Sequence, residues 1–282
     1  MLFQIKKISF ALVWLSLLFV ACNKTDNNPT PVNELEGLKQ AAVITNSTHT
    51  ITLYTATGTF QTGYNAIYFQ VKKADGSLVK NATATWTPMM HMMSKSHSCP
   101  ASAITMKPQA TATYGGHIIF QMPSNSSEYW ELSLSYTIDG VSYTATSQIT
   151  VAASSHQVVA SFKGSDSVRY ILALVAPTQP KVAINDISAA LYKMETMTRF
   201  VPVDNYTIKI DPRMPDMGNH SSPGNEHLVQ GADKLYHGKL GLTMTGYWKI
   251  NLQLLDAAAH TLKGEPVSDA NPASSIYFEL EF

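Results

Sequence analysis

The sequence predicts an all-β protein made of two tandem antiparallel β-sandwich domains behind an export signal and a short linker. Three observations carry that reading. Charged residues make up only 14% of the chain while Thr, Ser, Tyr and Val are plentiful, a balance that favours strands over helices. Short runs of alternating polar and apolar residues follow one another from Thr48 onward, divided by turn signals. The second half also repeats, in order, the marker residues of the first.

The chain opens with Lys6 and Lys7, runs through apolar Ile8 to Val20, and reaches Ala21-Cys22 before turning polar. That pattern is a secretory signal over residues 1–21, and its apolar core is short for a membrane span. A small residue followed by cysteine resembles a bacterial lipobox with Phe19 in the place where Leu is commonest. The resemblance implies that Cys22 is lipidated and holds the protein to a membrane. The alternative is ordinary cleavage, with Cys22 lost or left free. Residues 22–44, with "NKTDNNPTPVNELEGLKQ" from Asn23 to Gln40, read as a polar linker with two prolines.

If Cys22 carries lipid, Cys99 has no partner within the chain, and its thiol is buried, oxidised or occupied by a metal. Removing the signal leaves 18 basic against 20 acidic residues, a net charge near −2 that gives no reason to expect nucleic acid as a partner.

The first domain, 45–153, is built from "HTITLYTATG", "NAIYFQVKKADG", "NATATWTP", "HIIFQM", "EYWELSLSYTIDG" and "VSYTATSQITV", with hairpin signals at Asp75-Gly76 and Asp139-Gly140. The second, 154–282, follows with "HQVVASFKG", "VRYILALVAP", "ISAALYKMET", "NYTIKIDP", "GKLGLTMTG", "YWKINLQLLDA" and "SSIYFELEF". "ISAALYKMETM" has some helical propensity, but its neighbours favour a strand. Pro88, His97, Pro100, Tyr114, Gly116, Met122 and Tyr129-Trp130 are echoed by Pro212, His220, Pro223, Tyr236, Gly238, Met244 and Tyr247-Trp248. A tandem duplication accounts for this.

Chemistry concentrates in "TPMMHMMSKSHSCP", Thr87 to Pro100, which holds four of the chain's 12 methionines, two histidines and Cys99. Thioether sulfur is a soft neutral donor that selects Cu(I) over zinc or hard ions, and imidazole serves both copper oxidation states. In the second half "DPRMPDMGNH" offers Met214, Met217 and His220 around a Pro-Asp turn. By position Met90, Met93 and His97 match that set. His117 and His237, each close to the shared tyrosine, become further ligands if their strands run beside the Met-bearing loops. Met89, His91, Met92 and Cys99 are auxiliary donors or packing, and His227, in the loop "PGNEHL", is an auxiliary donor or solvent-exposed. Met106, Met122, Met194, Met197 and Met244 read as core, as does one aromatic of each Tyr-Trp pair.

"DPRMPDMGNHSSPG" with "YHGKLGLTMTGYWKINLQLLDA" resembles the YtkA-like and FixH-like extracytoplasmic domains. The matching residues are Met214, Pro215, Met217, His220, Pro223, Tyr236, Gly238, Gly246 and Trp248. Pro88, Met90, Met93, His97, Pro100, Tyr114, Gly116 and Trp130 follow the same order, with a longer loop and no glycine directly before the tryptophan pair. The resemblance implies immunoglobulin-like sandwiches and a role in copper handling or oxidase assembly in a bacterial envelope of the Bacteroidetes type.

No Gly-x-Ser-x-Gly, phosphate loop or paired-carboxylate motif is present, so no enzyme is expected. The expectation is a lipid-anchored copper protein of the bacterial envelope, periplasmic or surface-facing. It would be a chaperone or scavenger that exchanges copper with another envelope protein. The competing expectation is a structural or adhesive surface lipoprotein whose sandwiches bind a protein or glycan, with the methionines packed in a core.

Overall fold

A computed structural model describes residues 33–282. The signal, Cys22 and the linker through residue 32 lie outside the described residues. Eleven strands come from the first half: β1 (Lys39–Thr45), β2 (His49–Thr55), β3 (Phe60–Gln61), β4 (Gly63–Lys73), β5 (Thr83–His91), β6 (Ser96–Ser98), β7 (Thr105–Met106), β8 (Thr113–Phe120), β9 (Tyr129–Ile138), β10 (Val141–Ile149) and β11 (Val151–Ala152). The second half adds β12 (Val159–Lys163), β13 (Arg169–Ala176), β14 (Ala183–Thr196), β15 (Arg199–Pro202), β16 (Thr207–Met214) and β17 (His220–Ser221). It ends with β18 (Glu226–Gln230), β19 (Tyr236–Leu242), β20 (Tyr247–Leu255), β21 (Thr261–Lys263) and β22 (Tyr277–Glu281). One 3-10 turn, Pro215–Met217, is the sole helical element among the described residues. The protein is all-β, and "ISAALYKMET" is strand.

In the first half the sheet β1-β2-β4-β8-β7 faces the sheet β10-β9-β5-β6, and the short β3 and β11 pair in parallel. The second half reproduces this order as β12-β13-β14-β19-β18 and, on the other side, β20 flanked by β16-β17 and by β21 with β22. There β18 bonds to both β19 and β16, so the two faces join into one continuous hydrogen-bonded sheet around a single core. β21 and β22 together occupy the place of β10, with residues 264–276 inserted between them.

Three side-chain devices recur at matching places. Asn65 and Asn185 each accept a backbone N–H from four residues upstream and return their amide to that residue's carbonyl. The Tyr114 hydroxyl accepts from Ala82 N and donates to Val79 O, and the Tyr236 hydroxyl accepts from Tyr206 N and donates to Val203 O. Trp130 and Trp248, both 0% exposed, donate their indole N–H to the carbonyls of Met122 and Met244. Such buried donors and acceptors must be satisfied, so each device fixes a loop to a strand. The pairing of tyrosines, methionines and tryptophans read from sequence is thus a pairing in space.

The linker expected through residue 44 ends earlier. Strand β1 begins at Lys39, and Glu34 is already tied to the fold. Its carboxylate accepts from Thr111 N and Oγ1 at 2.6 and 2.8 Å, from Ala112 N at 3.2 Å and from Thr113 Oγ1 at 2.6 Å. Polar composition masked this, because the segment is held by hydrogen bonds and not by apolar burial. Met106, Met122 and Met244 pack against the cores as expected, whereas Met197 is 44% exposed and is not core.

Burial alone would raise the Glu34 pKa, but the Thr113, Thr111 and Ala112 bonds bring it down to about 2. A depressed carboxylate stabilises the fold above its unfolded pKa and loses that contribution as pH falls through the folded one. Glu34→Gln should therefore lower stability by about 1–3 kcal/mol at pH 7. In acid denaturation profiles the difference between variant and parent should shrink between about pH 4.5 and 2.

Candidate metal-binding hairpins

The pleat sorts the Met/His segments. In β5 the residues alternate between core and outside, so Pro88 and Met90 face the core while Met89 and His91 face outward. Met90 lies opposite Trp130 on one side and His97 on the other. In the second half Pro212 is buried in β16, and Met214 closes the hairpin opposite His220. Met90 and Met214 therefore occupy equivalent places beside equivalent tryptophans, and His97 and His220 are their cross-strand partners. Met90 is 0% and Met214 4% exposed, which makes both part of the cores.

The turns that follow carry the outer thioethers. Met93 is 88% and Met217 57% exposed. In the second half Pro215 starts the 3-10 turn, after which Gly218 and Asn219, both left-handed at φ 64° and 60°, bring the chain back to His220. Gly246 has φ 121°, and a Cβ there would stand 3.1 Å from Met214 Cε. The glycine two residues before Trp248 thereby seats Met214; Glu128, at the matching place in the first half, leaves Met90 without this arrangement.

His97 Nδ1 donates to the Ser98 carbonyl at 2.8 Å, and the ring stands edge-on to Trp130 with centroids 5.8 Å apart. That bond leaves Nε2 as the ring nitrogen free to meet a metal, the arrangement a metal-ligating histidine uses. His220 is exposed. Each hairpin thus offers one buried thioether, one solvated thioether and one imidazole. Among the described residues no three His, Cys, Asp or Glu side chains form a metal-holding group, so a metal here would depend on the thioethers.

His117 and His237 are not brought to these hairpins. Pro100 to Ser102 does run beside β8, with Ile119 N bonded to Pro100 O. The His117 ring nevertheless lies on the outer face of β8, against Tyr64 and Tyr192, with Nε2 2.8 Å from the Tyr192 hydroxyl. His237 is on the outer face of β19 and bonds Asp233 at 2.9 Å. In both strands the neighbouring tyrosine takes the core side, so the histidine next to it, or an odd number of residues away, faces outward.

The auxiliary residues separate too. Met92 packs partly against the core, and Cys99 is buried in it, which pushes its thiol pKa well up. Met89 lies opposite Glu131, and His91 stacks on Tyr129 with Nε2 3.6 Å from Glu131 Oε1. His227 accepts the Ile210 N–H at Nδ1, well along the strands from Met214. One neighbour was missed: the tip between β14 and β15 reaches the first half, where the Met197 carbonyl accepts from Ser98 N at 2.8 Å. Nothing in the local pattern of "KMETMTRF" announces that contact.

The two halves pack through Ile119, Ile171, Ala173, Ala190 and Tyr192, around which His117 and Tyr64 also meet. No family model and no curated protein matches the chain. Among solved structures the chain is similar to a conserved domain protein from Bacillus anthracis, with 10% identity, 86% of each chain covered and a TM-score of 0.32. A likeness at that level carries no argument about function.

Burial lowers the His117 pKa to about 4, so the folded protein holds this ring neutral while the unfolded chain would protonate it near 6.5. The stability it permits is present above about pH 6.5 and is lost as pH falls to 4, by up to about 3 kcal/mol. His117→Phe should flatten the stability profile across that window, as followed by urea unfolding at stepped pH.

Proposed function

We propose that the protein is a lipid-anchored component of a bacterial envelope that binds copper, Cu(I) preferentially, at one Met/His hairpin in each half, as a chaperone or scavenger. The observation that carries this is the shared register. Met90-His97 and Met214-His220 are equivalent cross-strand pairs, each followed by an equivalent exposed methionine, Met93 or Met217. Core packing accounts for Met90 and Met214 but gives no reason to keep an apolar thioether in solvent at the same turn position twice. A soft cation at the margin of the core, taking sulfur and imidazole, does. The YtkA-like resemblance and the lipobox supply the compartment, the immunoglobulin-like description and the expectation of a copper-exchanging partner. No catalytic step belongs to the proposal.

The structural or adhesive reading has one observation in its favour. Met90, Met92 and Cys99 pack in or against the first core, as that reading expects for the cluster.

Competition with a Cu(I) chelator separates the two. Met217→Ala and His220→Ala alter exposed side chains and should leave folding intact while weakening Cu(I) binding about tenfold each or more. Met93→Ala and His97→Ala should do the same for the first half. Unchanged binding in all four contradicts the copper reading. Met90→Ala and Met214→Ala are unsuitable alone, because each should cost about 2–5 kcal/mol of stability.

A further inference from the structure

Between the two halves opens a cleft of about 650 Å³ that the metal reading does not use. This volume falls within the range of small-molecule sites. The first half lines it with the turn from Thr55 to Thr62 and with Tyr64, and the second with an apolar wall of Val158, Leu174, Val175 and Pro177. Much of the polar rim is committed internally. The Thr55 hydroxyl donates to Thr59 O, Thr62 Oγ1 accepts from Ser154 N, and Asn65 is spent on Gln61 and Gly63.

Besides the side chains of Gln61, Tyr64 and Thr178 and the His156 imidazole, two carboxylates remain on the lining. Glu279 and Glu281 stand two residues apart on the outward face of β22 and both line the cleft. Glu279 Oε1 accepts from Tyr247 Oη at 2.7 Å and Oε2 from Gln157 N at 2.8 Å, leaving each oxygen with a further lone pair. Burial alone would raise its pKa, but these bonds, with the nearby Lys249 and His156, keep it below the usual carboxylate range and ionised. Glu281 is 57% exposed, with His156 Nε2 3.5 Å away. None of the described residues lining the cleft is Lys or Arg. The adjacent Lys249 holds its ammonium 4.2 Å above the Tyr277 ring.

We propose that this cleft binds an organic cation with an apolar body. An amine or guanidinium group would face Glu279 and Glu281, and its hydrocarbon would lie against Val158, Leu174 and Pro177. The chemistry is that of a free alkylamine or of a basic side chain in a peptide, and it rests on none of the Met/His residues.

Calorimetric titration of the full chain tests this, with hexylammonium and a doubly blocked Leu-Lys-Leu tripeptide as probes and hexanoate as the anionic counterpart. At least one cation should bind, with hexanoate about tenfold weaker or worse. Tighter binding of the tripeptide identifies a peptide side chain as the source, and tighter binding of hexylammonium a free amine. The Glu279→Gln/Glu281→Gln double variant should weaken the cation about tenfold, and Glu281→Gln alone, at an exposed position that cannot unfold the sandwich, should weaken it in the same direction. Absence of binding, equal binding of hexanoate, or affinity unchanged in both variants overturns the proposal.

Discussion

Trp130 and Trp248 fill the centres of the two sandwiches and give their indole N–H groups to the Met122 and Met244 carbonyls. Each ring must be satisfied at its single polar atom while the rest is enclosed, which fixes its strand to the preceding loop. That anchor sets the register of β5 against β9 and of β16 against β20. Register then decides which methionine of each segment faces the ring. Shifting β5 by one residue would place Met89 in the core and Met90 in solvent, shifting β16 would turn Met214 outward, and either slip would cost the two halves their correspondence.

From this constraint follows the division of labour in the hairpins. The inner methionine is core, the outer one is solvated, and the imidazole sits across the strand from the inner sulfur. A donor set divided in this way lies at a boundary between core and water. On the proposed reading, a soft cation held there would be open to an exchange partner without unfolding of the sandwich. Because Met90 and Met214 are shared with the cores, a bound metal would also be coupled to fold stability.

Much of the fold was legible in the sequence, since strands and hairpin turns rest on local alternation, and the ordered marker residues fall at matching places in the strand order. The choice of Met90, Met93 and His97 from a crowded segment came from comparison with the sparser second copy, and in the structure Met90 and His97 hold the places of Met214 and His220. The facing of individual residues was less legible. His117 and His237 looked like ligands because they are near a shared tyrosine, but proximity along a strand alternates in direction. The Glu34 anchor, the reach of Met197 to Ser98 and the cleft between the halves depend on hydrogen bonds and packing between distant segments, for which a single sequence carries no periodic signal.

X-ray absorption at the copper edge of the Cu(I)-loaded full chain tests the central claim most directly, because it reads the donor atoms themselves. The account predicts sulfur together with imidazole scattering around copper, and a reduced sulfur contribution, with Met90 and Met214 alone remaining as thioether donors, when Met93 and Met217 are both replaced by Ala. A shell of nitrogen and oxygen alone, or a sulfur shell indifferent to those replacements, would contradict it.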